Sequence, residues 1–245
     1  MLARRIEEAA LNSWPALQQM HFDGWLLRFA RGYTKRANSV TPLYTALQPV
    51  QEKIEICERV YSEKRQPTIF RLPSFLPLIQ ELDQQLSQRE YKYIDCTAVL
   101  TLELTASAHD PAIREVPLAT WLATFCQLSQ SPLEKHQTHQ EILARIASRP
   151  YFAVLYVGTL PVACALGVLE NEVCGLFDIV TAPEQRKQGY GTRLIAGLLG
   201  WAWQNNATCA YLQVTDSNQV ALRLYERLGF RELYRYWYRV RPYSV

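Results

Sequence analysis

The chain has 245 residues, of which 49% are hydrophobic and 20% charged, and its formal net charge is +3. This length and composition suffice for one large hydrophobic core or two small ones, and they exclude an intrinsically disordered chain. The charge is small and no dense block of Lys and Arg occurs, so a nucleic-acid partner is not expected.

The cysteine content and the hydropathy of the sequence indicate the cellular compartment. Six cysteines are scattered without a C-x-x-C pair, which predicts reduced thiols and a cytoplasmic protein, as does an N-terminus without the apolar segment of a secretory signal. Residues 151–169 contain no charged residue, but Gly158 to Pro161 interrupt the run. Two strands joined by a turn fit this stretch better than a membrane helix.

The first half of the chain alternates between helical and strand patterns. Spacing of apolar residues predicts helices over residues 3–11, 50–63 and 75–88, and strands over residues 24–30, 67–72 and 91–104. A polar, cationic connector, residues 31–40, follows the first strand. Residues 105–114 contain turn-forming residues and mark the predicted junction between two domains.

Two amphipathic helices are predicted next, over residues 116–128 and 134–146. His136 and His139 lie three residues apart on the second helix, a spacing that metal ligands use. No carboxylate or cysteine signature accompanies them, and Lys135 is adjacent. We therefore interpret them as part of a solvated helix face and expect no metal.

The remaining elements are a hairpin and an alternation of strands and helices. The predicted ranges are 151–170 for the hairpin, 172–181, 208–215 and 232–240 for strands, and 192–204 and 219–228 for helices. The last strand carries Tyr234, Tyr236 and Tyr238 on one face. It either pairs with a second copy of the chain or closes the chain's own sheet, so monomer and homodimer both stay open.

A glycine-containing turn joins the strand ending at residue 181 to the next helix. Its sequence is Arg186-Lys187-Gln188-Gly189-Tyr190-Gly191. The first amides of a helix have no intrahelical partner and the helix dipole favours an anion there, while glycine permits close approach of the backbone. With the cations Arg186, Lys187 and Arg193 nearby, the turn predicts a phosphate cradle, although the six residues alone also fit a simple turn before a surface helix.

A second motif follows one helix and one strand later. It runs from Asn218 through Ala221 and Tyr225 to Gly229-Phe230. The glycine turn resembles the R/Q-x-x-G-x-G/A pyrophosphate loop of the GNAT superfamily of acyl-CoA-dependent N-acetyltransferases, and the second motif resembles its N-x-x-A-x-x-x-Y…GF segment. Both occur in the family's order, and their co-occurrence is more specific than either motif alone.

The resemblance implies an α/β (α+β) fold with a mixed, mostly antiparallel central sheet flanked by helices. We place this catalytic GNAT domain at residues 111–245. Residues 1–110 repeat the order helix, strand, helix, strand but lack a Gly-x-Gly turn, and the segment from Trp25 to Val40 resembles the N-terminal part of a two-part GNAT subgroup. We therefore expect a smaller, degenerate GNAT-like domain there that binds no CoA.

The resemblance also implies how the cosubstrate acetyl-CoA is held. The diphosphate would lie on the amides of residues 187–192, and the pantetheine would extend along the strand end. The residues expected to bind it are Val180, Thr181, Arg186, Lys187, Gln188, Gly189, Tyr190, Gly191, Thr192 and Asn218. Asn218 is also a good N-cap for the helix after it.

Two residues are candidates for proton transfer. Tyr225 occupies the family's general-acid position, from which a phenol protonates the departing thiolate; otherwise it is a core aromatic residue. Asp178 is the only acid well inside the strand that enters the turn, on the face opposite Phe177 and Ile179 if alternation holds. It is the candidate general base, but it equally fits a structural partner, with the amine losing its proton to water.

The acceptor is not specified by these motifs. Trp25, Arg28, Arg36 and Asn38, with Ser39, either line an acceptor site, where cations suit a carboxylate or phosphate, or form an internal network that braces the domain junction. We expect an amine of a small molecule, amino acid or peptide.

The leading hypothesis is an enzyme that transfers an acetyl group directly from acetyl-CoA to a primary amine. The alternative is a non-catalytic acetyl-CoA-binding or CoA-binding sensor or scaffold module, and a third possibility is an interaction protein built on a relic fold. The first two bind acetyl-CoA and differ in turnover, whereas the third does not bind it. No membrane partner is expected.

Overall fold

The computed structural model describes residues 2–45, 47–77, 79–106 and 110–243. Its contacts divide the chain into two compact units, each assembled from separate stretches. Unit 1 comprises Met1–Pro15, Val99–Val214 and Gln219–Leu233, and unit 2 comprises Ala16–Ala98, Thr215–Asn218 and Tyr234–Val245. Of the predicted junction at residues 105–114, residues 107–109 lie outside the described part.

This division differs from a single boundary after residue 110, because the first helix belongs to unit 1. Arg5 and Asn12 of that helix donate to Glu172 and Glu170, and Ser13 shares a hydrogen bond with the Tyr211 hydroxyl. Glu170 and Glu172 thus take part in these contacts with the first helix.

The elements of the described residues are as follows. The α-helices are α1 (Leu2–Ser13), α2 (Val50–Glu63), α3 (Ile79–Gln88), α4 (Leu118–Ser129), α5 (Gln137–Leu143), α6 (Tyr190–Gln204) and α7 (Gln219–Arg227). The strands are β1 (Gln18–Phe22), β2 (Trp25–Phe29), β3 (Val40–Thr41), β4 (Thr68–Pro73), β5 (Lys92–Glu103), β6 (Ile113–Glu115), β7 (Arg149–Val157), β8 (Leu160–Glu170), β9 (Val173–Thr181), β10 (Cys209–Thr215) and β11 (Arg231–Arg241).

In unit 1 the strand order is β6-β7-β8-β9-β10-β5. Neighbours from β6 to β9 are antiparallel, whereas β9 and β10 are parallel. The helices α4 and α6 cover opposite faces, because the consecutive residues Tyr151 and Phe152 of β7 point to opposite sides. Tyr151 stacks on Trp201 of α6 at 4.4 Å, and Phe152 packs on Trp121 of α4 at 5.6 Å between ring centroids.

In unit 2 the strands run in the order β1-β2-β3-β4-β11. The helices α2 and α3 pack on β4 and enclose a core that includes Leu27, Ile54 and Phe70. The aromatic strand β11 pairs with β4 over residues 236–241 and 68–73. β11 therefore pairs within its own chain. Trp237 Nε1 also donates to Asp83 Oδ1 at 2.5 Å.

Most predicted elements are confirmed, with two corrections. The third helix starts at Ile79 rather than residue 75, because residues 74–77 form a turn and Pro77 disfavours helical backbone at the residue before it; Leu78 lies outside the described residues. The helix expected over residues 134–146 is instead a 3₁₀ turn, Leu133–His136, followed by the short α5.

Residues 151–169 form the hairpin of β7 and β8, as predicted. Within the described ranges, none of the helices combines the length and the apolar content required to cross a bilayer.

Gly175 of β9 provides a test of packing in unit 1. A Cβ at this position would lie 2.5 Å from the Phe177 ring and 2.6 Å from the Tyr211 ring, whereas a Cβ at Gly167 would meet the terminal methyl of Leu198 at 3.0 Å. We expect Gly175→Ala to lower the free energy of unfolding by about 2 kcal/mol, because two buried rings must shift. Gly167→Ala, the matched control on β8, should cost less. Urea denaturation measures the free energy of unfolding of both variants. Equal losses would contradict the tighter packing at Gly175.

Candidate functional site

The glycine turn lies in unit 1 between β9 and α6. After β9 ends at Thr181, a 3₁₀ turn (Pro183–Gln185) leads to Gly189, the residue before α6. Gly189 has φ +82°, and a Cβ there would have no atom within 4 Å. A left-handed backbone at this point favours glycine and leaves the space above the helix start open.

The amides of residues 187–192 face no competing acceptor within the part of the chain that the structure describes. The first amide beyond Arg186 that donates to backbone is that of Arg193, which binds Gly189 O at 3.0 Å. Six successive N–H groups are therefore available at the positive end of the α6 dipole. This cradle fits an anion such as a diphosphate.

The cations around the turn differ in their contacts. Arg186 and Lys187 are exposed, and Arg186 Nε donates to Thr181 O at 3.4 Å. Arg193 instead forms a two-point ion pair with Asp110, at 2.5 Å and 3.1 Å. The charge of Arg193 is therefore compensated within the protein, which corrects the expectation that it adds to the attraction for a ligand.

The strand before the turn contains a β-bulge at Asp178. β8 and β9 pair at Leu166 with Phe177 and again at Cys164 with Val180, so Asp178 and Ile179 both lie opposite Ala165. Asp178 has φ +48°, as the first residue of a bulge with left-handed backbone does. Simple alternation along the strand therefore does not fix the direction of the Asp178 side chain, contrary to the sequence-based argument.

β9 and β10 separate just before the bulge. Their parallel pairing runs from Val173 with Cys209 to Leu176 with Leu212 and stops there, although β9 continues to Thr181 and β10 extends past Leu212. Residues 177–181, all of them described, thus have β8 on one edge and no strand on the other. This free edge includes Val180 and Thr181 and offers backbone donors and acceptors to an extended ligand.

Tyr225 is fixed by the end of α7. Phe230 N donates to Tyr225 O and Gly229 N donates to Glu226 O, both at 3.0 Å. This is a Schellman motif, with Gly229 at φ +94° in the left-handed position. The Tyr225 side chain is 8% exposed and packs edge-on against Phe230. Burial raises the pKa of Tyr225 to about 12, so the phenol is protonated at neutral pH and can donate its proton.

Asn218 directly precedes α7 and belongs to unit 2 by its contacts. Its amide donates to Thr215 O at 2.9 Å, which forms the turn between β10 and α7.

Asp178 contacts one of two adjacent histidines that sequence reasoning placed on a solvated face. His139 Nε2 lies 2.9 Å from Asp178 Oδ2, and the rings of His136 and His139 are adjacent. The solvated interpretation is wrong, since His136 is 8% and His139 1% exposed. The predicted long helix is broken, and the short α5 packs under α4, where Phe125 contacts both rings. The His-x-x-His spacing predicted one shared face but not its burial.

No cluster of three or more metal-binding side chains is found among the described residues. The two histidines lie beside one carboxylate, and their ring nitrogens are engaged in the hydrogen bonds with Asp178, with Ser131 and with each other.

Of the N-terminal residues expected near the acceptor, Trp25, Arg28 and Asn38 are buried in unit 2, whereas Arg36 is half-buried. Arg28 is 1% exposed and donates from Nη1 to Arg36 O at 3.0 Å. Trp25 packs edge-on against Phe70, and Lys53 Nζ lies 4.1 Å from the Trp25 ring centroid.

Asn38 organises the connector between β2 and β3. Its Oδ1 accepts from Ala30 N and Gly32 N, at 2.6 Å and 2.9 Å, and its Nδ2 donates to Thr34 O at 2.7 Å. These contacts have the form of an internal network; contact with an acceptor stays a prediction.

Comparison with known proteins gives the family. Residues 3–239 match a family model described as "Probable histone acetyltransferase Rv0428c C-terminal". The "Uncharacterized N-acetyltransferase YobR" of Bacillus subtilis (strain 168) is 30% identical over 254 aligned positions, which cover 97% of this chain and 98% of YobR. The chain belongs to the GNAT family of N-acetyltransferases. It is therefore an acyltransferase.

Two further comparisons agree with GNAT membership. The "Probable histone acetyltransferase Rv0428c" of Mycobacterium tuberculosis is 28% identical over 237 positions, covering 93% of this chain and 70% of that protein. The structure of a GCN5-related N-acetyltransferase from Kribbella flavida superposes with a TM-score of 0.71 over 99% of this chain and 96% of that one, at 16% identity. The latter likeness concerns the fold alone.

The raised pKa of Tyr225 predicts a change in alkaline stability. Burial raises it to about 12 in the folded protein, whereas an unfolded chain releases the proton near pH 10. The stabilisation is therefore complete below about pH 10 and is lost as pH rises towards 12. Tyr225→Phe has no proton to release, so its free energy of unfolding should fall less steeply between about pH 9.5 and 11. Urea titrations at several pH values measure both free energies of unfolding. If the two proteins lose stability equally over this pH range, burial of this phenol is contradicted.

Proposed function

We propose that this GNAT protein transfers an acetyl group from acetyl-CoA to a primary amine of a small molecule, amino acid or peptide. The observation that carries the proposal is the row of uncommitted amides over residues 187–192 at the start of α6. An acetyltransferase must hold a diphosphate-bearing donor, and a helix N-terminus with free N–H groups is suited to that anion.

The acetyl donor, acetyl-CoA, is held mainly by main-chain groups. Its diphosphate binds the amides from Lys187 to Thr192, with Arg186 and Lys187 supplying exposed positive charge. Its pantetheine arm lies along the free edge of β9 at Val180 and Thr181, as an added strand would. Asn218, at the start of α7, contacts the same arm or the acceptor.

The transfer needs a neutral amine, a polarised thioester carbonyl and a proton for the leaving thiolate. Asp178 takes one proton from the ammonium group of the acceptor, and the amine nitrogen then forms a bond to the acyl carbon while the carbon–sulfur bond breaks. Tyr225 gives its proton to the sulfur and recovers one from the acylated nitrogen. The thioester supplies the activated acyl group, and a backbone amide at the end of β9 polarises its carbonyl.

The names of two relatives, rather than a pocket, support the proposed acceptor class. One relative is named as a probable histone acetyltransferase, and a second, [Ribosomal protein bS18]-alanine N-acetyltransferase of Escherichia coli (strain K12), is 37% identical over 57 residues, or 23% of this chain. Both names specify proteins as the acceptors. We infer that peptide amines belong in the first panel of acceptors, beside small amines and amino acids.

Donor binding is tested at Gly189. We expect Gly189→Glu to raise the Kd for acetyl-CoA at least about tenfold, because a carboxylate enters the anion cradle and a Cβ is forced into left-handed backbone. Asn171→Glu is the matched control: Asn171 also has positive φ, at +52°, and lies at the turn between β8 and β9, at the opposite end of β9. Isothermal titration should show unchanged affinity for that control. Unchanged affinity for Gly189→Glu would contradict the cradle.

Turnover is tested at Tyr225. We expect Tyr225→Phe to lower kcat about 100-fold, the usual contribution of a general acid, without changing the Kd for acetyl-CoA. Tyr156→Phe, at a half-buried tyrosine of β7, is the control. Release of free thiol from acetyl-CoA is followed with the panel of amines. Tight donor binding without thiol release for any acceptor would favour the non-catalytic module instead.

A further inference from the structure

Four polar side chains of unit 1 form a continuous chain from the loop after α4 to the bulge of β9. Ser131 Oγ lies 2.7 Å from His136 Nε2. His136 Nδ1 lies 3.3 Å from His139 Nδ1, and His139 Nε2 lies 2.9 Å from Asp178 Oδ2. The two histidines are buried, whereas Ser131 is half-buried and the Asp178 side chain is 22% exposed. The buried part thus connects two ends that reach solvent.

The hydrogen bonds determine where each proton lies. An ionised carboxylate only accepts, so His139 donates from Nε2 and, when neutral, accepts at Nδ1. His136 must then donate from Nδ1 and accept at Nε2 from the Ser131 hydroxyl. Every donor in the chain therefore points towards Asp178, and each neutral imidazole is restricted to one tautomer.

The surroundings keep His136 neutral. Burial, with a contribution from His139, lowers the pKa of His136, so its Nε2 can accept a hydrogen bond at neutral pH. The rings of Trp14, Trp121 and Phe125 pack around His139.

Two thiols lie near this hydrogen-bonded chain. Cys164 of β8 lies close to Asp178, and Cys126 of α4 lies close to Cys164 and to the exposed Glu134. Burial raises the pKa of both thiols, so neither carries charge near pH 7.

We propose that His139 is a positioning residue for Asp178, and that His136 and Ser131 act through His139 by fixing its tautomer. The inference rests on the proposed function, in which Asp178 is the base. His139 holds Oδ2, which leaves Oδ1 to take one proton from the acceptor ammonium group. The carboxylate becomes a carboxyl group, the ammonium becomes a neutral amine, and no other bond changes in this step.

The decisive comparison is between two substitutions of His139. In His139→Gln the side-chain amide nitrogen replaces the Nε2 donor, whereas His139→Leu fills the space without a donor. We expect the Leu variant to lose about 10- to 100-fold in kcat, the usual cost of removing a supporting hydrogen bond, with KM for acetyl-CoA unchanged. The acid limb of its pH profile should move to higher pH, because the charged carboxylate has lost a donor. The Gln variant should keep most of the activity and the position of the limb.

Ser131, at the outer end of the hydrogen-bonded chain, offers a milder test that preserves the core. Ser131→Ala removes the donor to His136 and should lower kcat a few-fold, since the His136 tautomer is then less restricted. Ser129→Ala is its control, because that hydroxyl donates to Cys126 O instead and should have no effect. Adding Asp178→Asn to His139→Leu should cost no more than Asp178→Asn alone, since both act through one carboxylate.

Each result supports or overturns the inference. Normal kcat with an unshifted acid limb in His139→Leu overturns it, and so does an equal loss in the Gln variant. Should the Leu variant not fold, as judged by circular dichroism, Ser131→Ala and the Gln variant decide. Absence of turnover in the unaltered protein overturns the proposed function as well. Nitrogen chemical shifts test the geometry without activity: an unprotonated Nε2 on His139 near pH 7 would overturn the positioning role alone.

Discussion

The placement of two residues of β9, Asp178 and Ile179, opposite the single residue Ala165 of β8 determines the rest of the site. The extra residue turns the end of β9 away from β10, so their pairing stops at Leu176 with Leu212. It also puts a non-glycine residue in left-handed backbone, which costs about 1 kcal/mol. Hydrogen bonds offset this cost, since His139 contacts the Asp178 carboxylate and Trp121 Nε1 donates to Ala165 O at 3.0 Å.

Both proposed contacts with the donor use main-chain groups. The anion cradle consists of amides at the start of α6, and the free edge of β9 offers the backbone of residues 177–181. Such groups depend on backbone conformation rather than on side-chain identity. This explains why the recognisable motif is short and rich in glycine, and why family membership is compatible with 30% identity to YobR over nearly the whole chain.

The two units differ in how they use their buried polar groups. In unit 1 the chain from Ser131 to Asp178 ends at a partly exposed carboxylate beside the bulge. In unit 2 Asn38 satisfies backbone groups of its own connector, and Lys53 is buried against Asp23 at 3.1 Å. Burial of a polar group therefore does not by itself indicate a site. What distinguishes the hydrogen-bonded chain in unit 1 is that it ends at a carboxylate on the free edge of β9.

The sequence by itself determined most elements, the glycine turn and the family, because these depend on local spacing: 3.6-residue periodicity, the conformational freedom of Gly189 and Gly229, and the order of two motifs. Only the tertiary structure decided the bulge at Asp178, the ion pair that engages Arg193 and the burial of His136 and His139. Each of these depends on partners distant in sequence, such as Ala165, Asp110 and Phe125. Local pattern predicts which residues share a face, whereas the fold decides what covers that face.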